Sequence, residues 1–231
     1  RERLLAMLTN AFMPCNGRFP ALIALITMFF AAGGAFVPAL LLTGVIAGAV
    51  LLTFAATGLL SATLLRGLES GFVLEPQVGQ VIVRSVFDRT LFVLGRAAAV
   101  AAPAGAAIWA LANISVGGAS LLQRAADALD PVGRLLGMDG AILLAFILGL
   151  PANEIVLPVA VMIYTAQGGL APLGGLASLR EVLAANGWTQ ATAACVMIFS
   201  LLHWPCSTTL LTIKKETGSL KWTILAFLLP T

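Results

Sequence analysis

Apolar positions run through this chain in blocks, and the blocks are punctuated by proline, glycine and short polar clusters rather than by regularly spaced charge. Forty-seven residues from Phe19 to Leu65 carry no charge, and further uncharged runs cover Ala97 to Gln123 and Val182 to Ile213. A membrane-crossing helix needs about 20 apolar residues, so these runs hold several spans. Leu4 to Met13 is too short to cross and reads as the end of a helix, stopped by Pro14. The pattern resumes from Phe19 to Ala32, breaks at Gly33-Gly34 and runs on from Phe36 to Leu65, which predicts two spans. Arg66 to Gln80 is a polar connector. Val81 to Leu94 places Arg84, Asp88 and Arg89 at helical spacing beside Val81, Val86, Phe87 and Leu91, the pattern of an interfacial amphipathic helix. A span rich in small residues follows from Gly95 to Asn113, allowing close helix contact. Ser115 to Asp139 returns to the surface as a second interfacial helix, with Leu121, Leu122, Ala125, Leu129 and Leu135 on one side.

From Gly140 to Tyr164 the pattern predicts a broken membrane helix, and Gln167 to Gly187 a Gly-rich loop with a short helix. Trp188 and Trp204 are expected to bracket the next span as interfacial anchors. Pro205 breaks that span, a Thr-rich helix follows to Thr217, and Lys221 to Pro230 begins another. Composition agrees. Sixty per cent of residues are hydrophobic and ten per cent charged, with a mean hydropathy of +1.01, against about a quarter charged in soluble domains. This is the signature of an all-α, polytopic membrane protein whose first partner is the lipid bilayer. The net charge of +3 is small and spread over short connectors, so its basic residues read as topology signals and nucleic acid is not an expected partner. Three cysteines without framework spacing argue against a disulfide scaffold. Arg1-Glu2-Arg3 opens without a start methionine or signal pattern, so the chain is expected to be cut from something longer.

The candidate chemistry centres on Gly149 to Pro158. Thirteen uncharged residues precede Glu154 from Ala141, and twenty-five follow it from Ile155. An ionisable group at membrane depth is costly and usually faces a bundle interior or wet cavity. If a helix ran through Pro158, the Glu154 carbonyl would lose its partner, and irregular backbone at that depth survives only where protein or water satisfies it. The competing reading is that Pro151 and Glu154 simply start a half-helix, with the acid on the dipole. Asn153 adds a carbonyl oxygen beside the carboxylate.

One repeat is visible, Met13-Pro14-Cys15 against Trp204-Pro205-Cys206, each following an apolar helix and leading into a new one. Paired Pro- or Gly-interrupted apolar segments point to a transporter's midplane site. Cys15 and Cys206 therefore stand out as soft ligands where carbonyls are freed, and thiolate, carboxylate and carbonyl together suit a borderline divalent metal. Cys195, among Ala193, Ala194 and Val196, reads as core. His203 is the lone histidine, expected to hydrogen-bond a carbonyl at a span end rather than to ligate, and Met162 offers a soft sulfur but is chiefly a core filler. Lys214, Lys215 and Glu216 read as a solvated helix end. The sequence holds no Gly-x-x-x-x-Gly-Lys-[Ser/Thr], His-Glu-x-x-His or Gly-x-Ser-x-Gly, so no catalytic residues are expected and the chain reads as a permease rather than an enzyme.

Asn10 to Pro20, Gly149 to Pro158, His203-Trp204-Pro205-Cys206-Ser207-Thr208-Thr209 and Lys215-Glu216-Thr217-Gly218-Ser219 together resemble the membrane part of the bacterial ferrous iron transport protein B family. The resemblance implies two Gate-type repeats flanking a core: residues 1–65 as the first Gate region, 66–138 as the core and 139–231 as the second, both Gates incomplete. It further implies Fe²⁺ conduction across the bacterial cytoplasmic (inner) membrane by a multi-pass protein. Cys15 and Cys206 match the family's Gate cysteines, and with Asn153 and Glu154 make the expected metal-lining set. GTP and Mg²⁺ would enter only through an N-terminal GTPase domain preceding Arg1, and the expected partners include a small cytosolic accessory protein and further copies of the chain. Two departures are visible: the Gly-x-Gly-Cys-Asn-x-Pro-Ala element of the first Gate does not occur, and Pro76 follows Glu75 directly where the family usually has Leu-Pro-x-Tyr and a basic residue. The alternatives are a Gate-fold transporter of an organic solute such as a nucleoside, and a membrane scaffold subunit.

Overall fold

The computed structural model describes residues 2–31, 34, 36–66, 79–166 and 175–230. The Glu75-Pro76 junction and the charged side chains of Val81–Leu94 lie outside what is described. The described residues are almost wholly helical: α1 (Glu2–Thr9), α2 (Phe19–Phe30), α3 (Phe36–Ala62), α4 (Gly79–Asn113), α5 (Leu121–Leu135), α6 (Gly140–Leu148), α7 (Val156–Thr165), α8 (Leu176–Ala185), α9 (Gln190–Leu202), α10 (Ser207–Thr217) and α11 (Leu220–Leu228). Between α4 and α5 a two-stranded hairpin pairs β1 (Ser115–Val116) with β2 (Ala119–Ser120), turning at Gly117 and Gly118, both with positive φ.

α3, with 27 residues, is long and apolar enough to cross a membrane. The preceding α2 has 12 residues, about 18 Å at 1.5 Å per residue. It is therefore not the second full span expected before Leu65, but a half-length helix whose Leu22, Leu25, Ile26, Met28 and Phe29 are buried in the core. α4 runs unbroken for 35 residues, so the interfacial helix and the span expected on either side of Gly95 form one rod. α9 and α10 together make a second apolar stretch of membrane-crossing length, Gln190–Thr217, interrupted in its middle at His203–Cys206.

The Gly140–Tyr164 segment reverses instead of continuing. α6 and α7 pack antiparallel, which is seen at their far ends, where Tyr164 Oη donates to Asp139 Oδ2, and at the tip, where Gly149 lies against Val156. Pro158 falls in the first turn of α7, where its missing N–H costs nothing, so the irregular backbone lies at Leu150–Asn153 rather than around Pro158. α5 meets α6 at 106°. That crossing needs glycine: a Cβ on Gly140 would run into the Ala126 carbonyl and lie 2.5 Å from Asp130 N, and one on Gly133 would lie 2.6 Å from the Asp139 carbonyl carbon. Asp139 caps α6 through Ile142 N at 2.8 Å, and Asp130 accepts from Gly140 N at 3.2 Å.

Two apolar cores result. The larger joins α2, α6, α7 and α9 with parts of α5 and α8; the smaller joins α1, the C-terminal end of α3, α10 and α11 through Leu5, Leu8, Leu60, Leu65, Ile213 and Ala226. The chain passes from the smaller to the larger core at Met13–Arg18, returns to the smaller one along α3, and passes from the larger to the smaller again at His203–Cys206. Both Pro-Cys breaks thus mark the seam between the two cores.

Candidate functional site

Three irregular segments meet at that seam: the first break, the tip of the α6–α7 hairpin and the second break. Pro205 has no N–H to offer the carbonyl four residues back, that of Leu201. Arg18 supplies the missing donor. Its Nη1 donates to Leu201 O at 3.4 Å and also to Ala11 O at 3.0 Å, a carbonyl left over where the first helix stops at Pro14. Its Nη2 donates to the carbonyls of His203 and Trp204, both at 3.3 Å. The tip is tied in by Ser207 N donating to Leu150 O at 2.8 Å.

His203 is 1% exposed, ringed by Phe146, Phe199 and Trp204 at centroid distances of 5.0, 5.8 and 5.9 Å. Its Nδ1 faces the carbonyls of Phe199 and Ser200 at 3.1 and 2.9 Å, so in a neutral ring Nδ1 carries the hydrogen and Nε2 is an acceptor. The group opposite Nε2, at 3.4 Å, is the Asn153 amide. In the structure Asn153 Oδ1 lies toward Nε2 and Nδ2 toward Cys15 Sγ, at 3.8 Å; a neutral ring is satisfied with the two ends of the amide exchanged, NH₂ on Nε2 and the oxygen on the thiol side, an assignment that the hydrogen-bond network decides. Asn153, 7% exposed, so links the buried imidazole to the thiol of the first break. Glu154, next in the chain, has an exposed side chain running along Gly17, where an added Cβ would sit 3.1 Å from Glu154 Cγ.

Cys206 starts the N-terminal end of α10 and lies 3.0 and 3.2 Å from the hydroxyls of Thr208 and Thr209. These threonines, with Thr212, Asn10, Ala6, Met7 and Ile213, line a cavity of about 420 Å³ between α1 and α10. Cys15 is exposed. The four expected lining residues therefore come to one junction, Cys15, Asn153 and Glu154 in direct neighbourhood and Cys206 across the Ser207–Leu150 bond. Among the described residues no three His, Cys, Asp or Glu side chains gather closely enough to hold a metal ion alone. An ion at this junction would need hydroxyl, amide and carbonyl oxygens beside the thiols.

Other expectations change. Trp204 is not an interfacial anchor but sits mid-span in the second break, stacked on Phe227 at 5.7 Å, and Trp188 is buried, its Nε1 donating to Tyr164 Oη at 2.9 Å. His203 does bond carbonyls, but in the protein's middle. Met162 faces an apolar cavity of about 350 Å³ between α4 and the hairpin, away from the thiols. Cys195 is half-buried, packed on the larger core and against Gly137. Arg18, read from sequence as a topology charge, is 3% exposed and is the residue that sequence reasoning missed. The signal was present: it directly precedes the longest uncharged run of the chain and lies three residues after Pro14-Cys15.

The sequence profile of the Gate family, described as nucleoside recognition, matches residues 94–220, more than half of the chain. The chain belongs to the Gate family. This Gate chain is also 27% identical over its whole length to the Fe(2+) transporter FeoB of Staphylococcus aureus (strain MSSA476), covering 34% of that protein. It is 24% identical to the Fe(2+) transporter FeoB of Campylobacter jejuni over 99% of the chain and 39% of the relative, and 29% identical to that of Leptospira biflexa over 48% of the chain and 17% of the relative. The resemblance to the ferrous iron transport protein B membrane region thus extends from motifs to full-length similarity. The chain spans about a third of the length of these curated relatives. No solved structure matches it.

Proposed function

We propose that this Gate chain is the membrane permease region of a ferrous iron transporter, and that Fe²⁺ passes through the seam lined by Cys15, Cys206, Asn153 and Glu154. The observation that carries the reading is the meeting of both Pro-Cys breaks with the hairpin tip, beside a cavity lined by Thr208 and Thr209, whose hydroxyls contact Cys206. A partly hydrated dication entering along Thr208, Thr209 and Thr212 would exchange water for hydroxyl and carbonyl oxygens before reaching a thiol. Fe²⁺ stands low in the affinity order of divalent metals, so a few mixed sulfur and oxygen ligands hold it weakly enough to release it. Glu154 supplies negative charge at the edge of the seam. The division into Gate (1–65), core (66–138) and Gate (139–231), a multi-pass arrangement in the bacterial inner membrane, an N-terminal GTPase domain using GTP and Mg²⁺, and assembly with a cytosolic accessory protein or further copies belong to the same proposal.

A second reading has a specific observation behind it, the nucleoside-recognition description of the matching family. The test is uptake into liposomes carrying the full-length protein, with Fe²⁺ and a radiolabelled nucleoside in parallel. Saturable Fe²⁺ uptake that is sharply weakened in both Cys15→Ser and Cys206→Ser supports the proposal. Nucleoside uptake without Fe²⁺ uptake replaces it, and neither flux leaves a scaffold.

A further inference from the structure

We propose that Arg18 is a positioning residue for the thiol pair: one buried guanidinium holds both Pro-Cys breaks in register, so that Cys15 and Cys206 face one another's side of the seam in a fixed relation. This rests on the reading of those thiols as metal ligands. The carbonyls it accepts as partners are the ones the breaks set free. Nη1 alone bridges the halves, donating to Ala11 O of the first and Leu201 O of the second, while Nη2 holds His203 O and Trp204 O within three residues of Cys206. Arg18 itself lies three residues from Cys15, and Arg18 N and Phe19 N both donate to the Cys15 carbonyl, at 2.9 and 3.3 Å. Movement of either break is therefore transmitted to the other through a rigid planar group. Charge-assisted bonds of this kind are about twice as strong as neutral ones. A lysine keeps the charge but concentrates its donors on one nitrogen, which cannot span four carbonyls on two segments.

The test uses the full-length protein in proteoliposomes, with the Fe²⁺ concentration for half-maximal uptake and the maximal rate measured separately. Arg18→Lys is expected to raise the half-saturating Fe²⁺ at least tenfold while the maximal rate per inserted protein changes less than threefold. A residue that only stabilised the fold would instead lower the amount of inserted protein and leave half-saturation unchanged, and that result overturns the proposal. Pro205→Ala removes a helix breaker and restores an N–H that a continued helix would aim at the Leu201 carbonyl, in competition with Arg18 Nη1, while Nη2 keeps the His203 and Trp204 carbonyls. It is expected to raise half-saturation too; unchanged half-saturation in this variant overturns the proposal as well. Cys15→Ser and Cys206→Ser separate the two levels. If they leave half-saturation unchanged the metal reading fails and takes this proposal with it, whereas a rise in them without a rise in Arg18→Lys removes Arg18 alone.

Discussion

Replacing Asn153 by alanine tests the link between the hairpin tip and the second break. The amide is the group facing His203 Nε2, at 3.4 Å, and it also reaches Cys15 Sγ at 3.8 Å. His203 is held in place by two carbonyls on Nδ1 and by three aromatic rings, so it cannot turn to find another partner. Asn153→Ala then leaves a buried acceptor unsatisfied, which costs about 1–3 kcal/mol. The contact to sulfur is long and adds little. For a chain of this size each kcal/mol lowers Tm by about 2–4 °C, so a fall on the order of 2–12 °C is expected. Trp204, whose ring lies 5.9 Å from the imidazole, is a built-in reporter, and thermal unfolding of the detergent-solubilised protein followed by tryptophan fluorescence gives the shift. An unchanged Tm would mean that the tip is not tied to His203, and the seam would lose its third side.

Glu154→Gln is expected to insert and melt like the parent, because the side chain is exposed, while Fe²⁺ uptake into proteoliposomes falls; uptake at the parental rate would return Glu154 to the role of a helix start. Gly140→Ala is expected to destabilise by about 1–3 kcal/mol, since the added methyl meets main-chain atoms of Ala126 and Asp130 that cannot step aside, and normal unfolding of this variant would contradict the α5–α6 crossing.

Membrane class and helical content were legible because apolar length is a one-dimensional property. Broken elements were legible at Pro14 and Pro205, where a missing N–H has one outcome in a helix. Pro158 misled for the same reason: a proline in a first turn and a proline in a helix interior look alike in sequence, and only the reversal at Leu150–Asn153 decides between them. α2 was overcounted as a span because hydropathy does not say whether an apolar helix faces lipid or a neighbour, and α2 buries its face against α9 and α8. Trp204 was misplaced because an indole at a helix end suits an interface and a buried break equally well. Of the residues that meet at the seam, the two cysteines, Asn153 and Glu154 stand out in motif and spacing, whereas the Arg18 contact to Leu201 spans 183 residues and belongs to tertiary structure.

The most direct test of the central claim is protection of thiols by the transported ion. Full-length protein, active in proteoliposomes, is labelled with a thiol-directed maleimide in the presence and absence of Fe²⁺, and modification of Cys15, Cys195 and Cys206 is followed separately by mass spectrometry. The account predicts that Fe²⁺ slows labelling of Cys15 and Cys206 together, over the same concentration range that saturates uptake, and leaves Cys195 unaffected. Equal labelling rates at Cys15 and Cys206 with and without Fe²⁺, in a preparation that still transports it, would contradict the account and leave the ion a path lined by oxygen alone.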